Sequence, residues 1–223
     1  MKAGAFFDPR CLGLYLVTDA AACAPRSVEE VVRAAVRGGA TCVQLREKDL
    51  STRGFLARAR MLKALLAPLE VPLIINDRLD IALAAGADGV HVGQSDMPPA
   101  EVRRWMPGGI VGLSVESADD VEAALESGVR LDYLGVSPVF ATPTKTDAAP
   151  PLGLAGLAGI RALTRLPLVA IGGIGPANAA DVLAAGADGL AVVSAICAAA
   201  DPELAARGLA GTMRAARPRR PEA

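Results

Sequence analysis

Eight times along this chain a short apolar run gives way to a helical pattern, and few folds accept that rhythm. The strands read at 11–18, 41–47, 72–76, 88–92, 110–114, 132–136, 167–171 and 189–193. The helices read near 27–38, 51–67, 78–85, 98–105, 117–127, 152–163, 176–185 and 202–215. Strand and helix in strict alternation imply parallel strands joined by right-handed crossovers, and eight such units can close on themselves. The expected fold is therefore α/β, a (β/α)8 TIM barrel. Local signals agree. Ser27-Val-Glu-Glu30 reads as a capping box, Pro98, Pro99 and Pro176 sit at first-turn positions, and Gly38, Gly39, Gly86 and Gly128 fall where helices stop. Leu83-Ala-Ala-Gly-Ala-Asp-Gly-Val90 recurs as Leu183-Ala-Ala-Gly-Ala-Asp-Gly-Leu190, either a repeated half-barrel unit or a repeated turn.

The 223 residues suit one barrel, and no linker divides them: a single domain over 1–223 is expected, its core at about 11–215, with loose ends at 1–10 and 217–223. Hydrophobic residues make up 52% and aromatics 3%, so branched aliphatics and alanine must fill the interior. A net charge of −1 without an internal basic run argues against nucleic acid as the main partner. No apolar stretch reaches membrane-spanning length and the N-terminus lacks a signal-peptide pattern, so the expectation is a cytoplasmic protein with no membrane partner. Cys11, Cys23, Cys42 and Cys197 form no C-x-x-C pair; Cys11 and Cys42 read as small buried hydrophobes in strands. An assembly of identical chains is compatible with the sequence, which does not specify it.

In such barrels the chemistry gathers at the C-terminal strand ends. Gln44, Arg46 and Lys48 close the second strand at alternate positions and share one face, while Val43, Leu45 and Glu47 share the other. Three donors, two of them cationic, suit an anion; a charged edge strand is the competing explanation. Asn76-Asp77 and Asp96 follow strands three and four. Two neighbouring carboxylates suit Mg²⁺ beside a phosphate, although one could merely cap a helix. Ser114 ends strand five. Gly172-Gly173 and Val193-Ser194 end strands seven and eight, the usual phosphate site of the barrel. The irregular loop 137–150 has the length of a functional flap. The only histidine, His91, sits at a strand end and suits lining or hydrogen bonding better than catalysis.

Tyr15-Leu-Val-Thr-Asp19, Gln44-Leu-Arg-Glu-Lys48, Asn76-Asp77, His91-Val-Gly-Gln-Ser-Asp96, Gly112-Leu-Ser114, Thr142-Pro-Thr-Lys145, Ile171-Gly-Gly-Ile174 and Val193-Ser-Ala-Ile196 together resemble the thiamine phosphate synthase family, from about residue 13 to 196. The resemblance implies a transferase that joins hydroxymethylpyrimidine diphosphate to a thiazole phosphate and releases pyrophosphate. It implies that Gln44, Leu45, Arg46, Glu47, Lys48, Asn76, Ser114 and Lys145 bind the pyrimidine diphosphate. Asp77 and Asp96 would hold Mg²⁺, and Thr142, Pro143, Thr144, Gly173, Val193 and Ser194 the thiazole phosphate. Arg46, Lys48, Ser114 and Lys145 are the expected catalytic residues.

Two positions depart from the family pattern: Arg78 stands where a second Asp is common, and Glu116 where a His is common. Three other readings compete. A thiazole tautomerase-like paralogue would need no diphosphate cradle. An aldolase using Lys145 would need a dry pocket around that lysine. A non-catalytic phosphate-binding barrel would keep the fold alone.

Overall fold

The computed structural model describes residues 8–142 and 150–216. Its eight strands are β1 (Leu14–Val17), β2 (Cys42–Leu45), β3 (Leu73–Asn76), β4 (Gly89–Val92), β5 (Ile110–Val115), β6 (Tyr133–Val136), β7 (Leu168–Ala170) and β8 (Gly189–Val192). All pair in parallel with their sequence neighbours, and β1 pairs with β8 through Leu14 and Leu190, so the barrel closes. The helices are α1 (Ala20–Cys23), α2 (Val28–Arg37), α3 (Thr52–Leu66), α4 (Leu79–Ala85), α5 (Pro99–Trp105), α6 (Ala118–Glu126), α7 (Gly153–Leu163), α8 (Ala179–Ala184), α9 (Ser194–Cys197) and α10 (Pro202–Ala216). Ser27 and Glu30 form the expected capping box at the start of α2. Among the described residues no helix is long and apolar enough to cross a membrane.

Strand parity sorts the core into two layers. Leu12, Tyr15, Val17, Cys42, Ile74, Tyr133, Val169 and Ala191 fill the barrel interior. Leu14, Leu16, Val43, Leu45, Leu73 and Ile75 face outward and pack with the helices.

The first strand is shorter than the sequence suggests. Residues 9–12 instead form a 3₁₀ turn, begun by Pro9 and capped by the Asp8 side chain on the Arg10 amide. Cys11 lies in that turn rather than in a strand, packed against the barrel interior. Two short helices, α1 and α9, were not foreseen; each begins at a strand's C-terminal end, in runs too short to show helical periodicity.

The repeated Ala-Asp-Gly segment has a mechanical explanation. Asp88, just before β4, accepts from the Leu73 amide of β3 at 2.8 Å and from Lys63 Nζ of α3 at 2.6 Å. Asp188, just before β8, accepts from the Leu168 amide of β7 at 2.9 Å and from Arg161 of α7 at 3.0 Å. A third copy, unseen in the sequence echo, is Asp132 before β6, bound to the Val111 amide at 2.8 Å and to Arg103 of α5 at 2.7 Å. The same device, a carboxylate stapling two strands and a helix, holds the N-terminal end of alternate strands. It leaves the opposite end free for a site.

Candidate active site

A cleft of about 920 Å³ opens at the C-terminal strand ends. Gln44, Arg46 and Lys48 all line it, as their shared parity requires. Arg46 lies 3.5 Å from Asp19, at the start of α1, and its amide donates to Thr18 Oγ1. Lys48 pairs with Asp77 at 3.0 Å. Asn76 and Asp77 close β3, and Asp77 holds the left-handed backbone (φ 61°) at the turn into α4. Left-handed backbone outside glycine is uncommon and gathers at functional sites.

Burial raises the Asp77 carboxyl above its ordinary range; Lys48 opposes the shift and the facing Asp96 carboxylate adds to it. Asp96 accepts from the Gly93 amide at 2.7 Å. Among the described residues no group of three or more His, Cys, Asp or Glu gathers in the manner of an all-protein metal cage. Two facing carboxylates on an open cleft instead match a hard cation that takes its remaining oxygens from water and phosphate, the habit of Mg²⁺.

The floor of the cleft is a hydrogen-bonded set in which His91 makes the contacts expected of it and to which two tyrosines, given no role in the sequence, belong. Tyr15 and Tyr133 bring their hydroxyls to 2.9 Å, and Gln44 and His91 bond to them from either side. His91 also bonds Ser114 Oγ at 2.8 Å. Burial lowers the His91 ring to about 4, despite the nearby Asp96, so it is neutral near pH 7. Both tyrosyl hydroxyls are pushed well above their usual range by burial and stay protonated. Inside a barrel a tyrosine reads as filler; the recoverable signal was that Tyr15 shares parity with Val17, and Tyr133 with Gly135 and Ser137, all of which line the cleft.

The far wall is Gly172, Gly173, Val193 and Ser194. Both glycines have positive φ, and a Cβ on Gly172 would meet Pro138 at 2.8 Å. That turn carries the stem of the β6–α7 loop: the Val139 and Phe140 amides donate to the Ile171 and Gly172 carbonyls at 2.9 and 3.1 Å. Ser194 begins α9, where the first amides have no intrahelical acceptor. Thr142 lines the cleft, whereas Pro143, Thr144 and Lys145 lie outside the described residues.

Two expected binding residues face elsewhere. Leu45 is fully buried among the outward core residues, and Glu47 turns to Arg58 of α3 at 2.6 Å, as odd parity dictates. Their side chains are structural. Of the two departures, Arg78 binds Asp80 and Thr52 beside the start of α4, whereas Glu116 does line the cleft.

A family profile described as thiamine monophosphate synthase matches residues 14–196. A thiamine-phosphate synthase of Albidiferax ferrireducens is 61% identical over 198 residues, covering 88% of this chain and 90% of that protein. One from Xanthobacter autotrophicus is 58% identical, covering 94% and 99%. A solved thiamine phosphate pyrophosphorylase from Pyrococcus furiosus superposes with a TM-score of 0.83 at 37% identity, covering 93% and 98%.

Proposed function

The chain belongs to the thiamine monophosphate synthase family, and from that premise we propose that its cleft joins hydroxymethylpyrimidine diphosphate to a thiazole phosphate. Relatives this similar are transferases acting on small molecules, which sets the reaction class. The observation that carries the finer reading is the pairing, in one cleft, of two unlike anion sites. One is cationic and acidic together: Arg46, Lys48, Asp77 and Asp96. The other is neutral: the Gly172-Gly173 turn and the start of α9. A diphosphate with its metal suits the first, and a monoester suits the second.

The bond from the pyrimidine methylene carbon to the diphosphate oxygen breaks, and the lone pair of the thiazole nitrogen captures the pyrimidinylmethyl cation that this leaves. Pyrophosphate leaves with the bonding pair, and the nitrogen becomes part of a cationic ring. Asp77 and Asp96 would hold Mg²⁺, which when bound neutralises charge on the diphosphate. Arg46 and Lys48 donate to the leaving oxygens, a role that the family resemblance extends to Lys145. Gln44, Asn76 and Ser114 hold the pyrimidine. Thr142, Thr144, Gly173, Val193 and Ser194 hold the thiazole phosphate. The thiazole nitrogen attacks through its lone pair and has no hydrogen to lose, so no general base is needed, and the neutral imidazole of His91 is engaged at both nitrogens.

The test is to mix both substrates with Mg²⁺ and follow thiamine phosphate and pyrophosphate, expected in equal amounts. Asp77→Asn and Asp96→Asn should each lower turnover by about a hundredfold or more, since metal stabilisation of a leaving group is worth several kcal/mol. Undiminished turnover in excess chelator would refute the metal assignment.

A further inference from the structure

Five side chains cross the barrel floor in one file. Gln44 Nε2 donates to Tyr15 Oη at 2.9 Å, and Tyr15 Oη lies 2.9 Å from Tyr133 Oη. Tyr133 Oη meets His91 Nδ1 at 2.9 Å, and His91 Nε2 meets Ser114 Oγ at 2.8 Å. Two strand glycines make room for it. A Cβ on Gly135 would stand 2.8 Å from His91 Cε1, and one on Gly112 would stand 2.2 Å from Tyr133 Cζ. Glycine inside a strand weakens it, so the space has a use beyond stability. The His91 and Tyr133 rings stack with centroids 5.4 Å apart, which fixes the file's geometry.

Each hydroxyl carries one hydrogen, and so does a neutral imidazole, so the sense of one link dictates the next. Gln44 donates first. Tyr15 then donates to Tyr133, Tyr133 donates to Nδ1 of His91, and Nε2–H of His91 donates to Ser114. At the ends, the Gln44 carboxamide keeps its oxygen and its second N–H, and Ser114 keeps its hydroxyl hydrogen, a donor. We propose that Tyr133 is a positioning residue which sets the His91 tautomer and so keeps the Ser114 hydroxyl hydrogen free to donate into the cleft, selecting a flat ring that presents an unprotonated nitrogen there. The ring identity rests on the pyrimidine diphosphate reading above. A ring with a carbonyl in place of the amino group carries a hydrogen on a ring nitrogen, and would leave the Ser114 hydrogen without a partner. Reversing the file to suit it would require turning the carboxamide, both tyrosyl hydroxyls and the tautomer together.

His91 is the single histidine of the chain, so NMR of nitrogen-labelled histidine reads the file without ambiguity. The wild type should show one neutral tautomer protonated at Nε2. Tyr133→Phe keeps the ring and its stack but removes the central hydroxyl. It should populate the Nδ1-protonated form, because Ser114 is then free to donate to Nε2. In the same variant, the kcat/KM preference for the aminopyrimidine diphosphate over its oxo analogue should fall by about tenfold or more, as sites built to pair a polar group lose discrimination when the pairing is lost. Its effect should not add to that of Ser114→Ala, since both act through one file. An Nδ1–H tautomer in the wild type, an unchanged tautomer in Tyr133→Phe, or an unchanged preference ratio would each overturn the proposal. If neither diphosphate reacts, the functional reading fails, while the imidazole spectrum still decides the file.

Discussion

Arg46 and Lys48 each rest against a carboxylate, Asp19 at 3.5 Å and Asp77 at 3.0 Å. An arriving diphosphate therefore competes with a partner already present, and a fork competes better than a point charge. Arg46→Ala should weaken pyrimidine diphosphate binding by roughly tenfold to a hundredfold, given about 1.5–3 kcal/mol for charge-assisted hydrogen bonds. Arg46→Lys should recover only part of this, with thiazole phosphate affinity almost unchanged; binding titrations of each substrate check both. His91 makes a different prediction. Its folded value of about 4 lies below the ordinary 6.5, so between those values the unfolded chain binds the proton and the folded one does not. The stability that this provides is complete above pH 6.5 and is lost as pH falls through 4, on the order of 3 kcal/mol. Urea midpoints measured from pH 7 to pH 4 should fall more steeply for the wild type than for His91→Gln.

At the scale of elements, what was legible followed from periodicity. The parity of β2 placed Gln44, Arg46 and Lys48 in the cleft, and the same parity turned Leu45 and Glu47 away from it, although motif resemblance had assigned both to substrate. The tyrosines stayed hidden because an inward tyrosine and an inward leucine fit the same pattern, and only the hydroxyl's partner distinguishes them. Likewise, the sequence echo marked Asp88 and Asp188 but not Asp132, whose flanking residues differ while its bonds do not. These staples sit at the end of the barrel away from the cleft, so stability and chemistry should separate. Asp132 and Arg103 are almost fully covered, and Asp132→Ala leaves a buried guanidinium without its carboxylate. A cost of about 3–5 kcal/mol is expected, with kcat of the remaining folded protein within about twofold of wild type. Denaturant melts and steady-state rates at low temperature test the two halves independently.

At the scale of the whole molecule, the first and last units are joined by more than the β1–β8 ladder. Arg26, ahead of α2, donates to the carbonyls of Cys197, Ala199 and Ala200 at 3.3, 2.7 and 3.0 Å, and so closes the C-terminal end of α9. The same helix begins at Ser194 in the cleft. Arg26→Met keeps most of the apolar stem and should cost about 1–3 kcal/mol. It should also weaken thiazole phosphate binding severalfold while sparing the diphosphate, which paired titrations would resolve. The molecule also carries its own optical label. Its only two tyrosines form the floor of the cleft, whereas its single tryptophan, Trp105, is 61% exposed on α5. Trp105 absorbs in the same band but does not line the cleft, so a substrate-induced change in near-ultraviolet circular dichroism reports chiefly the tyrosine pair, and indole emission reports another place. Substrate arrival can be followed by light alone, in the unmodified chain, with a second chromophore as the internal reference.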